Sequence, residues 1–446
     1  MAAPRPLGTI SLAALVVANM IGAGVYTTSG FSLVDLQQPA LVLACWAVAG
    51  VIALLGAFCY GGLAKGMAES GGEYLFLARG VHPAVGFMAG WISLTAGFSG
   101  SIAFSAKTFA SYLPADLRDG FASPALWAVA LVAGLTLVNF ADLKLAARAQ
   151  NLVVLAKLLA LTLLILYGFS FLLTDASPEA PMTVSGSPPD PVTPAAVTWG
   201  ALASSLMWIS FSYAGYNAAI YVAGVASQGR RSVPRSMWLA TLAVTAIYLG
   251  LNAIFLYVPP LEAIRGEKEI ALIAARSLGG FWLGETVRGV VLVSLATSVL
   301  AMVQIGPHVY AQMARDRFLP GWLDTSQPTP RLGVLLQAFL AIFLIVYTDL
   351  LELLDYLAFL LSVSSAATAG CLLLPRFRGE PGNRPVWGWP WLPLCFIAAT
   401  LAIAGMAFQY RLQSDPKSLL LALGLLPLGG LVYAVARRWG GAGPAR

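Results

Sequence analysis

N-M-I-G-A-G-V-Y-T-T-S-G-F, residues Asn19 to Phe31, lies inside an apolar run that starts near Leu7 and fades near Leu36. An ordinary membrane helix has no use for Gly22, Gly24 and Gly30 with Thr27, Thr28 and Ser29 between them. Glycine costs about 1 kcal/mol relative to alanine in a helix interior. Near mid-span, free backbone N–H and C=O groups find no water, so a break survives only where it faces protein or a polar cavity. The stretch predicts a helix that unwinds around Gly22 to Gly24 and uses its backbone groups to hold a small charged solute.

The rest of the 446-residue chain fits such a helix into a bilayer. It is 59% hydrophobic and only 10% charged, where a soluble protein carries about 25% charged residues. Its mean hydropathy is +0.79. Twelve apolar segments, near 7–35, 40–64, 84–113, 124–142, 148–174, 195–225, 236–258, 284–313, 332–350, 352–375, 389–411 and 418–438, approach or exceed the roughly 20 residues a spanning helix needs. The expectation is an all-α polytopic membrane protein of twelve transmembrane helices, one transmembrane domain over residues 1–446. No short apolar region followed by a small-residue cleavage site opens the chain, so no removed signal peptide is expected.

Lysines and arginines in short loops set orientation. Seventeen of them, including Lys65, Arg79, Lys144, Arg148, Arg230, Arg231, Arg235, Arg315, Arg317 and the terminal Arg5, Arg437, Arg438 and Arg446, fall on one side. Only Arg118, Arg265, Lys268, Arg276, Arg411 and Lys417 fall on the other. Both termini are therefore expected in the cytoplasm, with the chain in the cell (inner) membrane. The basic residues are scattered over many loops, which argues against a nucleic-acid partner. Cys45, Cys59, Cys371 and Cys395 lie within spans without metal-ligand spacing, and His82 and His308 are the two histidines. No catalytic cluster, metal site or cofactor is expected from such a set.

A second interruption is written into the sixth segment, W-I-S-F-S-Y-A-G-Y-N, Trp208 to Asn217. Ser210, Ser212, Gly215 and Asn217 alternate there with Phe211, Tyr213 and Tyr216. The breaks centred on Gly24 and Gly215 are about 190 residues apart, as expected of two related halves, near 7–174 and 195–375, with extra helices near 389–438. Interrupted helices at matching positions are the best sequence pointer to a transporter site. The plainer reading, glycines that let helices pack closely, explains one such segment better than two. Lys157 adds a third signal. It lies nine residues beyond Arg148, roughly 14 Å deeper at 1.5 Å per residue, and so near the midplane, where an ionisable group is a functional candidate. It could switch between neutral and charged forms and carry a proton, or stay charged in the place of a sodium ion. Folding alone is the third option.

Two loops complete the pattern: A-K-G-M-A-E-S-G-G-E-Y-L-F-L, Ala64 to Leu77, and A-R-D-R-F-L-P, Ala314 to Pro320, followed by Thr329 and Pro330. With M-I-G-A-G-V-Y and F-S-Y-A-G-Y-N-A-A-I-Y-V-A-G, the chain resembles the amino acid–polyamine–organocation (APC) superfamily, and within it bacterial L-type-like amino acid permeases. The resemblance covers nearly the whole chain. It implies a five-plus-five inverted repeat with broken helices one and six and two further C-terminal helices. It also implies substrate contacts at Ile21, Gly22, Ala23, Gly24, Val25, Phe211, Ser212, Tyr213, Ala214, Gly215 and Tyr216. The amides of Ala23, Gly24 and Val25 match the carboxylate-binding positions. The carbonyls of Ile21, Phe211, Ser212 and Ala214 match those that receive the amino group. Lys157 and Tyr248 match coupling positions. The chain departs from the family where Tyr216 replaces a frequent tryptophan, Gly224 or Val225 a frequent glutamate, and His308 a frequent arginine.

The function expected is secondary active transport of small neutral amino acids by alternating access, coupled to protons. The neutral class follows from the lack of a mid-membrane carboxylate in spans one, three, six and eight. Exchange, or transport of basic amino acids or polyamines, is the alternative within the family. A ligand sensor without transport is the alternative outside it, and an intramembrane enzyme lacks a catalytic dyad. The outer loops hold no cysteine for a disulfide-linked heavy chain, so the expected partners are the amino acid, protons and the lipid bilayer.

Overall fold

The computed structural model describes residues 7–120, 122–141, 143–173, 197–324, 331–377 and 385–440. Arg5, Thr329, Pro330 and Arg446, weighed above, lie outside them, as do Arg378 and Arg384 of the seventeen basic residues. The described chain is helical apart from one isolated bridge. Its principal helices are α1 (Thr9–Met20), α2 (Ala23–Leu36), α3 (Pro39–Gly66), α4 (Gly72–Gly80), α5 (Pro83–Ser111), α6 (Pro124–Ala141), α7 (Leu143–Leu173), α8 (Trp199–Ser212), α9 (Gly229–Tyr257), α10 (Ile270–Arg315), α11 (Arg331–Tyr347), α12 (Leu350–Gly370), α13 (Trp391–Ser414) and α14 (Pro416–Gly440). Each apolar segment of the sequence holds a helix. Among the described residues, eight helical stretches are long and apolar enough to cross a membrane, counting α1 with α2 as one.

Helix α7 shows how sequence sorts lipid from interior. Leu155, Leu159, Leu163 and Leu166 recur at helical spacing and are exposed, whereas Lys157, Leu161 and Leu164 on the opposite face are buried. The leucines need only an apolar surrounding, and lipid supplies it as well as protein does. The lysine needs a polar partner at that depth, so its face turns inward. Further along the helix, a Cβ at Gly168 would press against Ile254 of α9.

Two spans are irregular. Within α10, Gly279 and Gly280 are non-helical, so the element is two helices meeting at a kink, and the second starts close to where the sequence places the eighth span, near 284. Gly280, at φ 64°, adopts the left-handed backbone that glycine tolerates. The third span passes through a π-helical stretch, Ser93–Gly100, within α5.

The two faces are held differently. On the face where α1 starts, called here the terminal face, Leu7 bridges to Ala226 and its carbonyl accepts the Ser227 amide at 2.8 Å. The two sequence-marked loops meet there: the Tyr74 hydroxyl donates to Asp316, and Phe318 packs among Tyr74, Phe87 and Tyr433. Toward the opposite face, fully buried Asp355 of α12 accepts the indole N–H of Trp208 at 2.7 Å and two N–H groups of Arg411 at 3.0 and 2.7 Å. This ties α8 to α12 and α13.

Removing one member of a buried ion pair strands the other's charge, at a cost of about 3–5 kcal/mol, whereas replacing both with apolar groups can be neutral. Arg411→Met is therefore expected to lower thermal stability in detergent sharply, with Asp355→Leu in the same chain restoring most of it. A double variant as unstable as the single one would show that Arg411 acts through packing, not through its charge on Asp355.

Candidate functional site

The first break is short. Helix α1 ends at Met20, Ile21 and Gly22 leave helical geometry, and α2 begins at Ala23. The sequence reading centred the interruption on Gly24, but Gly24, Thr27, Thr28, Ser29 and Gly30 all lie within α2. A helix start leaves its first amides without intrahelical partners. Here Gly22 caps with no side chain, so the amides of Ala23, Gly24 and Val25 stay free of intrahelical bonds, and the positive end of the α2 dipole stands with them.

The second break is wider. Helix α8 ends at Ser212, and a turn through Tyr213 to Asn217 leads into a 3-10 segment, Ala218–Val225. Gly215 carries the turn at φ 103°, and a Cβ there would lie 3.0 Å from the Asn19 carbonyl. Only glycine meets both demands at low cost. The Ala214 amide donates back to the Phe211 carbonyl at 2.8 Å.

The freed carbonyls converge on two side chains read from the sequence. The Tyr248 hydroxyl, fully buried on α9, lies within hydrogen-bond reach of the Met20 carbonyl of the first break and, at 3.1 Å, the Ser212 carbonyl of the second. It has one proton to share between them. Lys157 donates to the Ile21 carbonyl at 3.2 Å and is 3% exposed. Tyr213 does not face the cavity; it packs against Trp46 and Tyr248 and donates to the Trp46 carbonyl at 3.0 Å. Below them Ser29 accepts from the Trp46 indole at 2.7 Å and donates to Asn252 at 2.6 Å.

Gly24 has a second role. A Cβ there would overlap the Ser212 side chain and lie 2.8 Å from its Cα. The absent side chain lets α2 approach the end of α8, and Thr28 and Ser212 share a hydrogen bond at 3.1 Å beside it.

A cavity opens between the breaks. Gly22, Ala23, Gly24, Phe211, Ser212, Ala214, Gly215 and Tyr216 line it, while Ile21, Val25, Tyr213, Lys157 and Tyr248 stand behind that lining. Ser101 and Ser105 of α5, Ser362 and Ser365 of α12, and Thr400 of α13 complete the wall. Sequence reasoning passed over these, because isolated serines in apolar helices carry no pattern. It also passed over Glu73. This carboxylate reaches the cavity from α4, in a loop, and accepts from Tyr60, from Asn217 at 3.2 Å and from Ser364 at 2.6 Å.

Apolar helices around a cavity lined by two interrupted helices give the chain the fold of a membrane transporter. A solved nucleobase-cation-symport-1 family transporter, in a closed conformation with bromovinylhydantoin bound, shares that fold at a TM-score of 0.55 and 17% identity, over 98% of this chain and 93% of its own. The amino acid permease family matches residues 7–425, and the chain belongs to it. Similar proteins include amino acid transporter protein 6 of Caenorhabditis elegans, 26% identical over 99% of this chain and 84% of its own length. The Asc-type amino acid transporter 1 of Homo sapiens is 27% identical over 86% and 73%. The human large neutral amino acids transporter small subunit 2 is 23% identical over 98% and 81%.

Tyr248→Phe tests the link between the breaks. Leaving a buried carbonyl unsatisfied costs about 1–3 kcal/mol. The variant is expected to melt measurably lower in detergent and to bind its substrate at least several-fold more weakly, since both breaks lose a common anchor. Unchanged melting and affinity would show that the two carbonyls do not depend on the phenol.

Proposed function

We propose that this chain carries a small neutral amino acid across the cytoplasmic membrane by alternating access, with spans one to five and six to ten as inverted repeats and the terminal face toward the cytoplasm. The observation that supports it best is the set of amides at the start of α2, two of whose residues, Ala23 and Gly24, line the cavity. A carboxylate suits that positive helix end, and carbonyls of an unwound segment suit an ammonium. The Ala214 carbonyl serves the amino group. Ile21, Phe211 and Ser212 leave that set, because Lys157, the Ala214 amide and Tyr248 take their carbonyls.

Lys157 stands in the place of a coupling sodium ion, its ammonium fixed on the first break, and transport draws on protons instead. Relatives named for Asc-type and large neutral amino acids support the neutral class. Glu73 in the cavity wall favours a second reading, a basic side chain as cargo. Its two oxygens already accept three hydrogen bonds, so the neutral class is preferred. The protein transports and does not catalyse a covalent reaction, and no disulfide-linked partner is needed.

Uptake of a labelled amino acid panel into proteoliposomes tests the substrate class: alanine, serine and branched residues should compete, and arginine should not. Replacing sodium with choline at constant pH should leave initial rates unchanged, whereas a strict sodium requirement would remove Lys157 from the ion's place. Lys157→Ala should weaken uptake and exchange together, by tenfold or more on the order expected for an unpaired buried carbonyl. Exchange at the parent's rate would show that the Ile21 carbonyl does not rely on it.

A further inference from the structure

The segment E-S-G-G-E-Y, Glu69 to Tyr74, is shaped to bury an acid. Gly71 and Gly72 both have positive φ, at 149° and 62°. A Cβ on Gly72 would overlap the Tyr221 ring. The backbone can therefore press against the sixth segment and set Glu73 in the first turn of α4, pointing into the fold. There it is 4% exposed, although it belongs to a connection between spans.

Among the described residues its surroundings offer donors but no cation. Tyr60 of α3, Asn217 of the second break and Ser364 of α12 supply three neutral donors. The titratable groups that face it are phenols, those of Tyr60, Tyr216 and Tyr221. The nearby charges and other ionisable groups are turned elsewhere. Arg79, in the last turn of α4, pairs with Glu69; Asp316, after α10, accepts from Tyr74. His82, at the start of α5, accepts the Ala84 amide, and the Cys371 thiol donates to the Phe76 carbonyl. Among the described ion pairs Glu73 has none. Burial pushes its carboxyl above the ordinary glutamate range, and the donors from Ser364, Tyr60 and Asn217 only partly oppose that.

We propose that Glu73 is a proton-binding site that loads together with the substrate, so that the proton driving transport is carried by this loop carboxylate rather than by Lys157. The proposal rests on the amino acid reading of the cavity. Glu73 lines the same cavity as Gly24, at whose helix end the substrate's carboxylate is placed. Two carboxylates in one site of low polarity repel, and protonating one relieves this. A proton from the terminal face binds Oε2, forming an O–H bond, and Ser364 turns from donor to acceptor. Oε1 keeps its bonds from Tyr60 and Asn217. The hydrogen-bond count is unchanged, so both protonation states fit one geometry.

The sign follows from linkage. Substrate raises the proton affinity of Glu73, so substrate binds with uptake of a proton. Binding is tightest below the free group's pKa and weakens as pH rises through the pKa of the bound state. Because Glu73 contacts Asn217, the proton also meets the unwound turn of the sixth segment, where loading and release are read by the backbone.

Two measurements on the full chain in detergent decide the matter. Binding of alanine, used as the probe, is followed by calorimetry in buffers of different ionisation enthalpy, from about pH 5 to about pH 8. The parent should take up a proton on binding and lose about tenfold in affinity per pH unit at most on the alkaline side. Glu73→Gln should take up none, with an affinity that stays near the acidic limit at every pH, while Lys157→Ala keeps whatever uptake accompanies its remaining binding. Equal proton uptake in parent and Glu73→Gln would overturn the proposal. Infrared titration without any amino acid separates this from failure of the substrate assignment. The parent should show a protonated-carboxyl carbonyl band that disappears on raising pH above the ordinary glutamate range and is missing in Glu73→Gln. Identical spectra for the two chains overturn the proposal whether or not alanine binds.

Discussion

Two backbone carbonyls deep in the fold, Met20 and Ser212, share one phenolic proton, that of Tyr248. The arrangement answers a constraint that membranes impose. A helix broken near mid-span exposes carbonyls with no water to receive them. Lys157 answers the same demand at Ile21. These contacts account for much of the polar chemistry behind the cavity: α9 and α7 are placed so that one hydroxyl and one lysine nitrogen reach the breaks. Interruption and support form one design, because the amides that the first break frees are accompanied by carbonyls that the protein must satisfy itself.

Much of this design was legible in the chain. Glycines flanked by hydroxyls inside apolar runs marked both breaks, and a lone lysine nine residues past a loop arginine marked the mid-span charge. These signals survive because the bilayer allows so few exceptions that each one stands out. The extent of the first break was less legible. Gly24 reads as an unwinding residue, yet it is helical, and its missing side chain serves the approach of Ser212. A close helix contact and a helix break draw on the same residue type. At Gly279 and Gly280 glycines do break the helix, and the eighth span follows that kink close to where the sequence places it.

Glu73 was the least legible of the cavity groups. In sequence it belongs to a polar, glycine-rich loop, where an acid needs no explanation. Its partners Tyr60, Asn217 and Ser364 are 13, 144 and 291 residues away, so no local periodicity joins them. The two glycines before it were the available hint, as they permit a positive-φ entry into α4. The argument that no span supplies a carboxylate held for the spans one, three, six and eight to which it was applied, and missed a group that enters the wall from between spans.

The bridge between Leu7 and Ala226 joins the start of the first broken span to the end of the sixth. It is a small contact, one strand-like pairing and one amide bond to a carbonyl. It couples the two segments on that side: displacing one alone gives up a hydrogen bond of about 0.5–1.5 kcal/mol, so moving them together is favoured over moving either by itself.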